Sequence, residues 1–160
     1  MVDAEILFDL LQMEIVSYYH NTTTTTTTTM KHEANTKIEQ MGFRVGQSLI
    51  EKFTKDQARF KDELDLMKFV CKDFWVSLFS KQIDNLRTNR QGVYILNDNE
   101  FKLLSKISGS KQHMSESGKY VAFPCGLIRG ALAGLGVTCY VTADTAESPV
   151  AKFQVEIHKS

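Results

Sequence analysis

A chain of 160 residues, 42% of them hydrophobic and 24% charged, has the size and composition of one globular domain, so we expect a single domain over residues 1–160. Lysine plus arginine and aspartate plus glutamate balance at 19 each, which excludes the basic footprint of a nucleic-acid-binding protein. No apolar run reaches the length of about 18 residues that a membrane helix needs, and acids stand where a signal peptide is basic. We therefore expect a cytosolic protein without direct membrane insertion.

The first predicted helix covers Asp3 to about Tyr19 and contains neither glycine nor proline. At about 100° per residue, Glu5, Asp9 and Gln12 fall on one narrow side, while apolar side chains cover most of the remainder. A surface helix normally has an apolar stripe a little over about 100° wide. This helix is therefore expected to be buried on two sides.

An uninterrupted run of threonines follows, from Thr22 to Thr29. Such a homopolymer has no apolar period and cannot bury enough surface to offset the entropy of ordering it. We interpret the run as a low-complexity surface loop at residues 22–29 and assign no function to it.

The second predicted helix runs from about Ala34 to Phe53, and its apolar arc is again too broad for one core. Gly42 and Gly46 stand four residues apart and leave bare backbone on one side, which would let another helix approach closely. The third predicted helix, from about Lys61 to Phe79, is apolar around most of its circumference. We expect it to be the central helix of the fold.

The hydrophobic period then changes from helical to alternating. Asp84 to Asn89 and Val93 to Asp98 predict one hairpin, and Thr138 to Asp144 with Ala151 to Lys159 predict another. Helices and hairpins are segregated along the chain. This order predicts an α+β fold, with one antiparallel sheet that carries the helices on one face.

Between the two hairpins we expect a polar loop, Ser105 to Ser117, and a fourth helix, about Lys119 to Ala133. Three glycines of this helix recur every four residues and so align on one side: Gly126, Gly130 and Gly134. A phosphate-binding loop would continue with Gly-Lys-Ser or Gly-Lys-Thr, and this stretch does not. A flat face for close helix packing is therefore favoured.

Three further residues of this region carry expectations of their own. Gly136 is placed to end the helix, and Pro124 is placed either to open it at its first turn or to kink it. Arg129 is the one charge in the glycine-rich stretch, and we expect its head group to pair with a carboxylate at the helix edge.

No grouping of residues in the sequence indicates catalysis. The histidines lie in different elements without the spacing of metal ligands. Cys71, Cys125 and Cys139 have apolar neighbours, so we expect reduced thiols in the core. The acids occur singly, the pattern of solvated helix surfaces. We expect no catalytic residue, no metal and no cofactor, and hence no enzyme.

Four blocks of the sequence resemble the subunit 6 family of the TRAPP vesicle-tethering complex: Lys37 to Phe53, Ala58 to Trp75, Lys81 to Leu96 and Cys125 to Leu132. The resemblance implies four helices packed on one face of a twisted four-stranded antiparallel sheet. It also implies a non-catalytic scaffold in a complex that exchanges guanine nucleotide on Rab GTPases in ER-to-Golgi and Golgi transport. Such a subunit would meet the Rab only indirectly and would associate peripherally with Golgi and endoplasmic reticulum membranes.

The resemblance further implies dimerisation through the first two helices, with the related acylated core subunit and with other TRAPP subunits nearby. An isolated chain is expected to form a homodimer. The candidate interface residues are Leu7, Leu10, Leu11, Glu14, Tyr18, Met41, Val45, Leu49 and Ile50. The acylated cysteine of the related subunit matches about Gln57 here, so this chain is not expected to carry that fatty acid.

A second interpretation remains open from the sequence alone. The same fold could bind a lipid or another apolar ligand, since the small-residue face at Gly126, Gly130 and Gly134 could border a channel.

Overall fold

The computed structural model describes residues 3–21, 28–57, 59–107 and 118–159. Its helices are α1 (Ala4–Asn21), α2 (Thr28–Thr54), α3 (Glu63–Phe69), α4 (Trp75–Phe79), α5 (Lys102–Ile107) and α6 (Ala122–Gly134). Its strands are β1 (Asn85–Thr88), β2 (Val93–Asp98), β3 (Cys139–Asp144) and β4 (Ala151–Ile157). Residues 22–27 of the threonine run and 108–117 of the expected polar loop lie outside the described residues, whereas Thr28 and Thr29 begin α2.

The four strands form one antiparallel sheet in the order β1-β2-β4-β3. Alternate residues of the two central strands are buried: Tyr94, Leu96 and Asp98 on β2, and Ala151, Phe153 and Val155 on β4. Their neighbours along each strand are more exposed, because successive side chains of a strand point to opposite faces. The core therefore lies on one face of the sheet, and the predicted α+β fold is confirmed.

The third predicted helix is one continuous helical stretch, residues 63–79, made of α3, a π-helical segment (Val70–Phe74) and α4. It begins at Asp62, whose carboxylate accepts a hydrogen bond of 2.7 Å from Asp65 N. Within the π-helical segment, the backbone oxygen of Cys71 accepts a hydrogen bond of 2.9 Å from Ile83 N. The sequence predicted the extent of this helix and missed the π turn.

Aromatic side chains join this helix to the sheet. Trp75 is fully buried, with ring centroids 4.5 Å from Phe79 and 5.2 Å from Phe153, and Phe101 packs 5.1 Å from Phe79. Trp75 Nε1 donates to Asp98 Oδ2 over 2.9 Å, so the indole meets a buried carboxylate.

Helix α5 was not predicted, and the expected polar loop overlaps its second half. Its buried side chains, Leu103, Leu104 and Ile107, follow helical spacing. The six residues of α5 make fewer than two turns, and Ser105 and Lys106 among them gave the stretch a polar composition.

The two ends of α6 follow from single residues. Pro124 lies in its first turn, where a missing backbone N–H is tolerated, so the proline opens the helix. At the other end Gly136 has φ = +84°, and its N–H donates to Ala133 O over 3.0 Å. Val137 N donates to Leu132 O over 2.9 Å, which completes a Schellman motif and confirms the predicted C-cap.

Helices α2 and α6 pack backbone against backbone. The side of α2 that faces inward carries a small or buried residue every fourth position: Ala34, Ile38, Gly42, Gly46 and Ile50. A Cβ atom added at Gly42 would lie 3.1 Å from Gly126 Cα, and one at Gly134 would lie 2.5 Å from Ile50 Cγ2. Added Cβ atoms at Gly126 and Gly130 would overlap the carbonyl oxygens of Glu39 and Phe43. The predicted close-packing face is confirmed.

Arg129 forms an ion pair at the edge of the contact between α2 and α6. Its Nε and Nη2 donate to Glu39 Oε1 and Oε2 over 2.5 and 3.0 Å, a bidentate pair between α6 and α2. The guanidinium also lies 4.1 Å from the centroid of the Phe43 ring. The expected pairing of Arg129 with a carboxylate is confirmed.

Candidate functional site

The outer side of α1 carries a stripe of large apolar side chains that are mostly exposed in the single chain. The exposed fractions are 62% for Leu7, 56% for Leu10, 54% for Leu11 and 60% for Tyr18. Glu14, also exposed, lies between them on the same side. We call these five residues the α1 stripe. Several large apolar residues exposed together mark an interaction site rather than an ordinary surface.

Helix α2 adds a second, weaker contribution to this surface. Val45 is exposed, and Met41 and Leu49 are half-buried. Val45 and Leu49 line a shallow depression of about 270 Å³ whose other walls are Arg44, Ser48 and Lys52. An apolar floor with basic residues at its border resembles the core and rim of a protein interface.

One of the nine candidate interface residues is placed wrongly by the sequence. Ile50 is fully buried in the core of this chain. It continues the inward row of α2 and packs on Gly134 of α6, because that glycine leaves room for a branched side chain. Ile50 therefore cannot contribute exposed surface to a partner.

Two exposed residues were missing from the candidate set. Ile6 of α1 lies one turn before Leu10, so helical spacing alone could have added it. Met30 is exposed on α2, but the sequence analysis began that helix at Ala34 and so left Met30 outside it.

The polar side of α1 faces the interior of the molecule, whereas the polar side of a surface helix normally faces solvent. Asp9 is completely buried and Gln12 is 1% exposed. Lys106 Nζ lies 2.7 Å from Asp9 Oδ2, and Lys102 pairs with both Asp9 and Glu5. The expectation that single acids mark solvated helix surfaces is wrong for Asp9, because two lysines of α5 hold its carboxylate inside the molecule.

The three cysteines are buried and unpaired, as predicted. Burial raises the pKa of Cys71 and of Cys125 to about 12 and that of Cys139 to about 11. The thiolate is the reactive form of cysteine, so these thiols are chemically quiet at neutral pH.

Within the described part of the chain, no group of three or more His, Cys, Asp and Glu side chains is arranged to hold a metal ion. Among the helices that the structure describes, none combines the length and the hydrophobicity needed to cross a membrane.

An open groove of about 1330 Å³ lies between the end of α2, the start of α3 and the end of β4. Its lining mixes bases with acids, Arg59 and Lys159 with Asp62 and Glu63, so its charge favours no one class of ligand. Gln57, near which the sequence resemblance places the acylated cysteine of the related subunit, borders this groove. The small-residue face that could have bordered a lipid channel is instead filled by α2.

Comparisons with known proteins agree with the resemblance. The family model described as transport protein particle (TRAPP) component matches residues 8–158. Trafficking protein particle complex subunit 6B of Homo sapiens is 63% identical over 124 residues, 78% of each chain. Subunit 6b of Danio rerio is 54% identical over 155 residues, covering 97% of this chain and 98% of the relative. Subunit 6A of Homo sapiens is 45% identical over 155 residues, with the same coverage.

Among solved structures, the fold is shared by a trafficking protein particle complex subunit 3 from Naegleria fowleri, described as covalently bound to palmitic acid. The TM-score is 0.75 at 19% sequence identity, over 96% of each chain. The family model spans nearly the whole chain, and the curated relatives are similar over most or all of their length. This chain therefore belongs to the TRAPP component family and, within it, to the subunit 6 family.

Proposed function

We propose that this chain is a non-catalytic structural subunit of a TRAPP-type vesicle-tethering complex, and that it joins the complex through the outer faces of α1 and α2. The α1 stripe carries the proposal, because its four apolar side chains are each more than half exposed in the single chain. The relatives are named as subunits of a trafficking protein particle complex, which supports a role in assembly.

The proposed partner is the related acylated core subunit of the complex. A subunit of the same fold can present the equivalent helices, so a pseudo-twofold heterodimer can reuse the geometry of a homodimer. The isolated chain is then expected to self-associate, and the related subunit to displace the second copy. Each large apolar side chain that becomes fully buried contributes about 1.5–3 kcal/mol, so a few on each subunit offset an association cost of about 4–15 kcal/mol.

In this role the chain would contribute to Rab exchange only by holding the complex together. The three cysteines are buried, and burial raises the pKa of Cys125, so none of them is proposed as a nucleophile. Residence in the cytoplasm, with peripheral attachment to Golgi and endoplasmic reticulum membranes through the complex, is part of the same proposal.

Light scattering after gel filtration tests the pairing directly. The wild-type chain should elute with the mass of two copies at micromolar concentration and shift to a one-to-one complex when the related core subunit is added. Leu11→Arg should abolish both species, because it places an unpaired charge in the centre of the α1 stripe.

A matched control is available on another helix. Val76 of α4 is 41% exposed and lies outside the α1 and α2 faces, so Val76→Arg should leave both species intact. A wild-type chain that stays monomeric and does not bind the related subunit would refute the proposal. Equal effects of the two arginine variants would place the interface elsewhere.

A further inference from the structure

Helix α1 is attached to the rest of the molecule in two different ways along its length. Its second half is anchored by apolar burial and by a contact to α2, because Val16 is 1% exposed and His20 Nε2 lies 3.0 Å from Asn35 Oδ1. Its first half meets α5 through the ion pairs of Asp9, and Phe8 is half-buried against Phe79 of α4 at a centroid distance of 6.5 Å. The first half therefore depends on buried charge as well as on apolar contact.

The charge cluster of the first half is incompletely satisfied. Both lysines approach the same oxygen of the buried Asp9 carboxylate: Oδ2 lies 2.7 Å from Lys106 Nζ and 3.2 Å from Lys102 Nζ. The other oxygen, Oδ1, has no hydrogen-bond partner in the described part of the chain. Burial and the neighbouring Lys106 charge lower the pKa of Lys102, so its charged form is less stable here than in water.

Gln12 is a second buried polar side chain of the first half of α1 without hydrogen-bond partners. The side chain is almost completely buried, yet neither its amide nitrogen nor its amide oxygen has a hydrogen-bond partner among the described residues. A buried polar group without a partner opposes the folded arrangement, because it has lost its hydrogen bonds to water. The inner side of this half-helix therefore holds it only weakly.

The outer side of the same half-helix has the opposite character. Leu7, Leu10 and Leu11 are all more than half exposed, so a partner that covers them would add apolar burial to the contact that Phe8 makes on the inner side. We propose that residues 4–12 form a conditional part of the dimer face: they dock weakly on α5 in the monomeric chain and become fixed when a second subunit covers the α1 stripe. This inference rests on the proposed pairing with the related core subunit.

Amide hydrogen exchange of the full chain, diluted until light scattering shows a monomer, tests the weak docking. The amides of residues 8–12 lie beyond the first turn of α1 and should be protected by helical hydrogen bonds if the helix is firmly docked. We expect them to exchange about 100-fold faster than the amides of residues 127–131 in the buried helix α6, from two or three unsatisfied groups. Addition of the related core subunit should slow exchange at residues 8–12 and leave residues 127–131 unchanged. Equal protection of the two segments in the monomeric chain would overturn the inference.

Two substitutions should change this exchange in opposite directions. Gln12→Leu removes the buried amide at similar volume and helix propensity, so exchange at residues 8–12 should become about tenfold slower. Lys106→Gln removes the 2.7 Å partner of Asp9 and should make exchange faster. Lys68→Gln, at an exposed lysine on α3, is the matched control and should have no effect. Faster or unchanged exchange in Gln12→Leu would contradict the inference.

The two proposals can fail separately. Exchange in the monomeric chain is measured without a partner, so it decides whether residues 4–12 dock weakly even if the related subunit does not bind. Binding of the wild-type chain to the related subunit, with firm protection of residues 8–12 already present beforehand, would keep the proposed function and refute the conditional docking.

Discussion

The contact of α2 with α6 and the contact of α1 with α5 join helices by opposite means. In the first, glycines let backbones touch, and the Glu39–Arg129 pair closes the edge with both carboxylate oxygens occupied. In the second, charged side chains separate the helices, and Asp9 and Gln12 keep unsatisfied polar atoms. The firm contact belongs to the core, whereas the weak contact supports the surface that is proposed to bind a partner. Elements that respond to binding are drawn from the less stable parts of a fold.

The largest expected effect breaks the firm contact. A Cβ atom at Gly130 would overlap the backbone oxygen of Phe43, which cannot move away as a side chain could. Gly130→Val should therefore lower the free energy of unfolding by at least about 3 kcal/mol, measured by urea denaturation. Gly118→Val is the control, because an added Cβ there would meet no described atom within 4 Å. An unchanged midpoint for Gly130→Val would show that α2 and α6 do not pack closely.

The next effect compares two fully buried carboxylates, Asp98 and Asp9. Asp98 accepts from Trp75 Nε1 on one oxygen and from Lys81 Nζ and Glu100 N on the other, so an amide nitrogen placed at either position would face a donor. Asp98→Asn should cost about 3 kcal/mol, near the lower end for a broken buried ion pair. Asp9→Asn can place its amide nitrogen at the unpartnered Oδ1 position and should cost about 1 kcal/mol. Equal losses of unfolding free energy for the two variants, measured by chemical denaturation, would contradict the view that the hydrogen bonds of Asp98 are complete and those of Asp9 incomplete.

The reactivity of the cysteines offers a chemical measure of how firmly the core is packed. The pKa values of about 12, 12 and 11 lie above pH 8, so at that pH about one thiol in a thousand or fewer is ionised. Cys71, Cys125 and Cys139 should therefore react with a thiol reagent at pH 8 only as fast as the whole core unfolds. Denaturant should release all three thiols together, and rapid labelling of Cys125 in native protein would show that α6 opens on its own.

The smallest expected effect lies in the threonine run. Because Thr28 and Thr29 form the first residues of α2, a deletion of the whole run would also shorten that helix. Removal of residues 23–25 alone would halve the six residues that separate α1 from α2, and should change the free energy of unfolding by about 0.6 kcal/mol, since loop length enters only logarithmically. Gel filtration should show pairing unchanged, and lost pairing would place the run in the interface.

Periodicity in the sequence was sufficient for the elements that are long or regular. The four predicted helices and both hairpins follow from apolar spacing, which is a local property of the chain. Helix α5 was missed because six residues hold too little periodicity. The π turn was missed because apolar spacing does not report it, and it coincides with a long-range hydrogen bond from Ile83 N to Cys71 O.

The sequence by itself indicated the close-packing faces of α2 and of α6, because glycines at intervals of four leave bare backbone on one side of a helix, but it did not pair the two helices. It also indicated that α1 and α2 have more apolar surface than one core needs. Only the tertiary structure decided which sides face outward. Lys106 stands 97 residues from Asp9 and draws the polar side of α1 inward, so its leucines turn to the surface. Ile50 lies four residues after Gly46, so helical spacing could have placed it in the inward row of α2, whereas the space that Gly134 leaves for its side chain is visible only in the tertiary structure.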